Sequence, residues 1–179
     1  MATNQPPDNR EPTIEGMVRL GSHVGGTLEA LGITDGPIDA EAVLASVASP
    51  DAGANVLFLG TTRAVTPASA DVTQSRTLRL EYEAYVPLAR AEIARLHAEA
   101  IDRFSLSGCG IVHRIGAVEV GKASIAVAVS ATHRDKAFEA AQWLMEQVKR
   151  RVPIWKCEID PNGVRTWIHP TAPSSGVRP

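Results

Sequence analysis

The chain has 179 residues, a formal net charge of −2 at pH 7, 44% hydrophobic residues and only 4% aromatic residues. This length suits one globular domain with an aliphatic core, and the near-neutral charge argues against a nucleic acid or a membrane as partner. No apolar run reaches the roughly 20 residues that cross a bilayer, and the polar start resembles no signal peptide, so we expect a cytoplasmic protein. Cys109 and Cys157 lack the spacing of a disulfide framework or a zinc set, so we expect no metal site.

The N-terminal part of the chain is divided into an extension and the start of a domain. Residues 1–37 are interpreted as a partly disordered extension, because their polar, proline-bearing start offers little apolar surface to offset the entropy of ordering. The domain is expected over residues 38–170, with a flexible tail over residues 171–179. Asp39 is a fair N-cap for a short first helix. The mostly apolar run 54–59 then predicts a strand that is covered on both faces.

The middle of the chain begins with a loop. Residues 65–75 show no hydrophobic period and are interpreted as mobile. Residues 77–85 alternate apolar and charged side chains, which predicts a strand with one solvated face. Pro87 can occupy the first turn of a second helix, whose apolar stripe continues as far as Phe104.

Two further strands are predicted at residues 109–120 and 123–131. Gly121-Lys122 separates them, so a hairpin is plausible. After the third helix, residues 165–169 add a short strand. The predicted order is therefore α-β-β-α-β-β-α-β, which favours an α+β fold with helices packed on a mixed, largely antiparallel sheet.

The third helix lies between a strand end at Ser130 and a stop at Pro153. The proline cannot continue a helix, and its ring pushes Val152 toward extended geometry. A three-four spacing of apolar residues predicts one buried face. This predicted stripe consists of Phe138, Ala141, Met145 and Val148. Lys149 therefore lies in the last helical turn, and Lys156 follows on an extended segment.

Three places on the chain carry side chains that suit an anionic ligand. They are Arg63 after a strand-ending glycine, His133 and Arg134 after another strand, and Lys149 and Lys156 on either side of the proline. If the strands are neighbours, these ends converge, and their donors would suit a phosphate ester. Ordinary explanations stay open: a solvated loop cation for Arg63, a helix cap or surface role for His133, a local salt bridge for Arg134, and complementation of the helix dipole for Lys149.

Lysine chemistry depends on the surroundings of the amine. Neighbouring positive charge or burial lowers the pKa of a lysine and makes it a useful acid, base or nucleophile. Lys149 meets that condition beside Arg150 and Arg151. The same basic run could instead contact nucleic-acid phosphates, but that binding module would need a wider basic face and more aromatic side chains.

Five motifs follow one another in a fixed order. They are Gly60-Thr-Thr-Arg63, Leu80-Glu-Tyr-Glu-Ala-Tyr85, His113-Arg-Ile-Gly116, Ser130-Ala-Thr-His-Arg134 with Ala137-Phe138, and Lys149 with Val152-Pro-Ile-Trp-Lys156. Together they resemble the catalytic (large) subunit of molybdopterin synthase over residues 38–167. The resemblance implies an α/β hammerhead-like fold and a homodimeric core. It also implies a small ubiquitin-like partner with a Gly-Gly tail, whose C-terminal thiocarboxylate enters each active site of a heterotetramer.

The resemblance also implies a reaction and its residues. Cyclic pyranopterin monophosphate becomes molybdopterin by two sulfur transfers that build the dithiolene, and no cofactor is expected beyond the substrate and the sulfur donor. The pterin and its phosphate are assigned to Thr61, Thr62, Arg63, His133 and Arg134, and the site is completed by Lys149 and the segment Lys156-Cys157-Glu158. Lys149 is expected to contact the thiocarboxylate, and Lys156 to transfer a proton or stabilise developing negative charge.

The chain departs from the family pattern at Cys157, where a second basic residue is common. A thiol in a sulfur-transfer enzyme suggests a persulfide, but the family commonly works without this thiol, so we expect no persulfide role. A family member that keeps the fold and partner binding without catalysis is a further alternative. Retention of both Lys149 and Lys156 argues against it.

Overall fold

The computed structural model describes residues 31–66 and 75–168, so residues 1–30 of the predicted extension and the predicted tail lie outside the described residues. Within these ranges the helices are α1 (Ala40–Ser46), α2 (Val86–Phe104) and α3 (Arg134–Arg151). The strands are β1 (Leu31–Thr34), β2 (Ala54–Thr61), β3 (Val65–Thr66), β4 (Ser75–Arg76), β5 (Arg79–Ala84), β6 (Gly108–Arg114), β7 (Gly116–Glu119), β8 (Ala123–Ala131), β9 (Ile154–Ile159) and β10 (Arg165–Ile168). No helix in this part of the chain is long and apolar enough to cross a membrane.

The first sheet has the strand order β1-β6-β8-β2 and holds the core. β1 runs parallel to β6, and the other neighbouring pairs are antiparallel. Helices α2 and α3 cover one face, where Ile93, Leu96 and Leu144 are fully buried. The shorter α1 covers the other face through a smaller cluster around Val43. The central strand β8 is therefore buried on both faces, which explains its nearly continuous apolar sequence.

The second sheet has the strand order β10-β9-β5-β7, and all its neighbouring pairs are antiparallel. The chain passes from the first sheet to the second at Ile115, between β6 and β7. The next residue, Gly116, has a φ of 79°, a conformation that favours glycine. β3 and β4 form a separate two-stranded ribbon at the ends of the predicted loop, whose residues 67–74 lie outside the described ranges. The α+β class is confirmed, but the strands form two main sheets rather than one.

Three predicted elements differ from the structure. β1 lies inside the segment assigned to the extension, so the folded domain begins before residue 38; four residues form too short a pattern to be recognised. The strand predicted at residues 109–120 is two strands, because the chain changes sheets at Ile115. The extended segment around Lys156 is a complete strand, β9, between β5 and β10.

Two predicted burial patterns are also wrong in part. β2 is the edge strand of the first sheet, and Phe58 and Leu59 are 40% and 38% exposed instead of covered. On α3 Ala141 and Val148 are buried as predicted, but Phe138 is 63% exposed, whereas Ala137 and Ala140, outside the predicted stripe, are fully buried. These small residues let the helix lie close to the sheet, so side-chain size as well as hydrophobicity selects the face that packs.

Leu144→Ala is expected to lower the free energy of unfolding by about 2–5 kcal/mol, because it removes a fully buried side chain of the main core. Leu88→Ala deletes the same atoms from a side chain that is 47% exposed, and should cost less than about 1 kcal/mol. Urea denaturation of both variants measures the difference. Equal losses would show that the core is not where the structure has it.

Candidate active site

A cleft of about 740 Å³ opens where the second sheet, the C-terminal end of α3 and the end of β2 meet. One wall is a face of the second sheet, formed by residues of β5 and β9. The last turns of α3 and the end of β2 supply further walls, and the central strands β6 and β8 contribute buried side chains. The cleft therefore draws on both sheets, and neither sheet could form it alone.

The register of β5 and β9 determines which side chains face the cleft. Tyr82 pairs with Lys156 and Leu80 pairs with Glu158, and all four residues line the cleft. Because side chains alternate across a strand, Cys157 belongs to the opposite face, where it is fully buried. The predicted segment 156–158 therefore contributes two residues to the cleft, and the thiol is not one of them.

The last turn of α3 carries three consecutive cations with two different roles. Lys149 and Arg150 line the cleft. Arg151 instead binds Glu92 at 2.8 Å, and also Glu99, and both carboxylates belong to α2. The basic run is therefore not one continuous exposed face, which argues against the nucleic-acid alternative. The helix ends at Arg151, immediately before the proline region, as predicted.

The end of β2 brings Thr61 and Arg63 to the cleft from the first sheet. The register shifts between Gly60 and Thr61, which is the mark of a β-bulge, and bulges often redirect side chains beside active sites. A Cβ at Gly60 would lie 2.6 Å from Cγ2 of Ile125, so the absence of a side chain permits this close approach of β2 to β8.

The surroundings of Lys156 lower the pKa of its ammonium group. Burial lowers its pKa below the ordinary value, the carboxylate of Glu158 opposes this change, and Arg63 and Lys149 lower the pKa further. Charge interactions weaken with distance, so these effects also show that the three cations share one region. An amine with a lowered pKa gives up its proton more readily, which suits Lys156 to proton transfer.

Two carboxylates balance part of this positive charge. Glu146 and Glu158 line the cleft together with Arg63, Arg150 and the two lysines. The hydroxyl of Thr77 donates to Oε1 of Glu158 and restrains that side chain. Four cations thus face two carboxylates, and the excess positive charge suits an anionic ligand.

Uncharged polar side chains also line the cleft, and Tyr82 among them pairs with Lys156. The hydroxyl of Tyr82 donates to Oγ of Ser124 at 3.2 Å, and Ser124 donates to the carbonyl oxygen of Gly60 at 3.2 Å. The Tyr82 ring packs edge-to-face on the ring of His113, with centroids 5.1 Å apart. Burial raises the pKa of Tyr82, so its phenol stays neutral at pH 7.

Besides Cys157, three predicted site residues lie outside the cleft of their own chain. Thr62 is buried, and its hydroxyl donates to the carbonyl oxygen of Val118 at 3.4 Å, so it ties the end of β2 to β7. His133 and Arg134 lie at the start of α3, whereas Lys149 lies in its last turn. At about 1.5 Å per residue, the two ends of this helix are roughly 25 Å apart.

The expected convergence of Arg63 with the His133-Arg134 pair is therefore wrong for a single chain. β2 and β8 are neighbours, but they are antiparallel, so the exit of one lies beside the entry of the other. His133 occupies the N-cap position of α3 without a side-chain cap hydrogen bond. The side chain of Arg134 is 82% exposed, and its Nε lies 3.8 Å from Oδ1 of Asp135. The capping role of His133 is therefore wrong, but its exposed position fits a surface role, and Arg134 forms the local salt bridge that was its ordinary explanation.

Sequence reasoning gave no site role to Tyr82, His113 or Ser124, and it treated Arg150 only as a neighbouring charge. The alternation in β5 places Tyr82 on one face with Leu80, but only its pairing with β9 shows that this face carries Lys156. His113 and Ser124 lie on central strands, where the local pattern indicates core. No signal in the sequence separates such residues from ordinary buried positions.

An open cleft with excess positive charge, a desolvated lysine and buried polar groups defines a site for a small anionic molecule. Residues 33–151 match the family described as MoaE protein. A molybdopterin synthase catalytic subunit of Emericella nidulans is 45% identical over 125 residues, and the match spans 69% of this chain but only 60% of that protein. The subunit of the same name from Bacillus subtilis is 40% identical over 141 residues, spanning 79% of this chain and 85% of that protein.

Comparison of the fold with solved structures supports the same family. The crystal structure of molybdopterin synthase from Staphylococcus aureus matches with a TM-score of 0.72 at 32% identity, and the match covers 79% of this chain and 98% of that one. The chain belongs to the MoaE protein family, among the molybdopterin synthase catalytic subunits of molybdenum cofactor biosynthesis. The resemblance drawn from the ordered motifs is confirmed.

The titration of Lys156 tests the electrostatic arrangement of the cleft. In the wild type its midpoint should lie below 10.5. Arg63→Gln removes a like charge and should raise the midpoint, whereas Glu158→Gln removes an opposite charge and should lower it. Amine labelling across a pH series, followed by peptide mass spectrometry, measures all three values. Arg95→Gln, on the exposed surface of α2, is the control; shifts of the same sign in both cleft variants would refute the arrangement.

Proposed function

We propose that this chain is the catalytic subunit of a molybdopterin synthase and a sulfurtransferase acting on cyclic pyranopterin monophosphate. The sulfur donor is the C-terminal thiocarboxylate of a small ubiquitin-like subunit, and two transfers build the dithiolene of molybdopterin. The observation that carries this proposal is the meeting of Arg63, Lys149 and Lys156 in one cleft. One guanidinium and two ammonium groups complement both anionic reactants, a phosphate ester and a thiocarboxylate.

The two lysines have different surroundings and are assigned different tasks. Lys149 is exposed in the last turn of α3, where it can contact the incoming thiocarboxylate. Lys156 is half-buried with a lowered pKa, which suits proton transfer and the stabilisation of negative charge that develops during the reaction. Thr61 and Arg63, at the end of β2, are assigned to the substrate and its phosphate. Glu158 tunes Lys156 through its charge.

The small subunit delivers its sulfur through an extended tail. A Gly-Gly tail has no side chains and can therefore pass close to the walls of a narrow opening. A cleft of about 740 Å³ has the size of sites that hold a complete small molecule, which leaves room for the pterin and the end of the tail. Lys149 is exposed and lines this cleft, so a tail that enters from solvent can reach its ammonium group.

A second copy of the chain supplies the His133-Arg134 pair. β2 is an edge strand, and no strand of the described ranges pairs with its outer side. A two-fold axis beside the middle of β2 would pair it antiparallel with the same strand of the second copy. Ala54 of one copy would then lie opposite Thr61 of the other.

This pairing accounts for three observations. Ala54 pairs with Ala131 in the first sheet, so His133 and Arg134 lie just beyond the Ala54 end of β2 in each copy. In the dimer this end lies beside the Thr61 end of the other copy's β2, which leads to Arg63. The pairing also removes an exposed sheet edge and explains the apolar stretch 56–59 of β2, where one chain leaves Phe58 and Leu59 exposed. The complete assembly has two copies of this chain and two small subunits.

The first test is reconstitution. Mixing the chain with a thiocarboxylated small subunit and the cyclic pterin should yield molybdopterin, detected by mass spectrometry. Lys149→Ala and Lys156→Ala should each lower the rate at least tenfold, or about 1.4 kcal/mol in barrier. Cys157→Ala is the control, because its thiol is buried outside the cleft, and it should keep most activity. Near-normal rates in both lysine variants would rule out the catalytic assignment.

Mixed dimers extend this assay to the composite site. Dimers that combine a Lys149→Ala copy with an Arg134→Ala copy contain one site in which both residues are intact, so activity should recover well above that of either variant alone. Lys149→Ala mixed with Lys156→Ala is the control, because both lysines line the cleft of one chain and no intact site can form. Failure of the first mixture to recover, with dimers present, would exclude the contribution of a second copy.

A further inference from the structure

His113 lines the cleft from the central strand β6, although its side chain is only 7% exposed. It pairs with Ile125 of β8 on one side and with Ile33 of β1 on the other, so two neighbouring strands hold its backbone. None of the roles assigned above uses this residue. A buried side chain on such a rigid element presents one fixed edge to whatever enters the cleft.

The hydrogen bond at Nδ1 determines the tautomer of this imidazole. Nδ1 lies 2.8 Å from the carbonyl oxygen of Arg114, and a carbonyl can only accept, so Nδ1 carries the proton. Burial lowers the pKa of His113 to about 4, so the ring is neutral at pH 7. Nε2 is therefore an unprotonated acceptor, and no hydrogen bond of the described residues occupies it.

Tyr82 holds the imidazole in its orientation. The two rings meet at an interplanar angle of 72°, and the hydroxyl of Tyr82 is already engaged with Ser124. Tyr82 is also the register partner of Lys156, so it lies next to both the imidazole and the amine. The cleft consequently combines a cationic part with an uncharged part in which the acceptor of His113 is available.

We propose that Nε2 of His113 accepts a hydrogen bond from an N–H group of the pterin ring and thereby orients the substrate in the cleft. This inference rests on the proposed function and adds a specificity-determining residue to it. A pterin carries its pyrimidine N–H and amino donors at the end of the ring system remote from the cyclic phosphate. One molecule can therefore satisfy both parts of the cleft, with its phosphate at the cations and its donor edge at His113.

The consequence is selection by hydrogen bonding. A ligand without a donor at this edge leaves Nε2 buried and unpaired, and a site built around a hydrogen bond rejects such analogues much more strongly than an apolar pocket would. The cations alone would accept many small phosphates, since charge attraction does not distinguish the organic group that carries the phosphate. His113 thus separates pterin recognition from anion recognition.

Calorimetric titration of His113→Phe tests this role. Phenylalanine keeps a ring against Tyr82 but has no acceptor, so the Kd of the cyclic pterin should rise about five- to a hundredfold. The Kd of inorganic pyrophosphate, a probe for the cations alone, should not change. His113→Gln, whose carboxamide oxygen can accept, should recover part of the pterin affinity. Melting curves establish that each variant is folded.

Unchanged pterin affinity in folded His113→Phe would overturn the inference and leave the proposed function standing. Equal loss of pterin and pyrophosphate binding would also overturn it, because His113 would then maintain the shape of the whole cleft. Absence of pterin binding in the wild type would overturn both. If His113→Phe does not fold, ¹⁵N NMR of the wild type decides: the Nε2 resonance should move upfield when the cyclic pterin binds, and an unmoved resonance at saturation would refute the hydrogen bond.

Discussion

The pairing of β9 with β5 is the constraint on which the site depends. Six register pairs, from Arg79 with Ile159 to Ala84 with Ile154, direct Lys156 and Glu158 toward the cleft. A slip of one residue would turn both away and bring the neighbouring thiol inward, because side chains alternate along a strand. β10 pairs with the other side of β9, so two neighbours hold this register. The lysine chemistry thus rests on backbone hydrogen bonds between strands.

The two ends of helix α3 carry different groups of candidate site residues, and the length of the helix keeps them apart. Its C-terminal turn supplies Lys149 and Arg150 to the cleft, and the same cations complement the helix dipole, so the ordinary and the catalytic explanations of Lys149 are compatible. Arg151 binds α2 and so anchors this turn to the core. The other end of the helix carries His133 and Arg134 away from the cleft of the same chain, which is the reason for proposing that a second copy supplies them.

Local patterns predicted much of this fold. Proline positions and the three-four spacing of apolar residues predicted α2 and α3, and the N-cap Asp39 predicted α1. The patterns were less informative where partners decide the outcome: the apolar run of β2 indicated a central strand, and α3 was assigned the wrong buried face at Phe138. Burial depends on what packs against an element, and a short window of sequence does not contain that information.

In the candidate site, too, some residues were predictable from the sequence and others depend on the tertiary structure. Arg63 and the two lysines that flank Pro153 were identified by residue type and by family resemblance, and these three residues meet in one cleft. Transfer of complete motifs also included Thr62 and Cys157, although alternate strand residues face opposite ways. The antiparallel direction of β2 and β8 and the tautomer of a buried histidine are properties of the tertiary structure, so no local pattern reveals them.

Binding of cyclic pyranopterin monophosphate, measured calorimetrically without the small subunit, tests the central claim that the cationic cleft holds the phosphate ester. The account predicts saturable binding at one site per chain that weakens as salt concentration rises. Arg63→Ala should raise the Kd about ten- to a hundredfold, because it removes a charge-assisted hydrogen bond, and should change the affinity for the small subunit far less. Unchanged pterin affinity in a folded Arg63→Ala protein, or no binding to the wild type, would contradict the account.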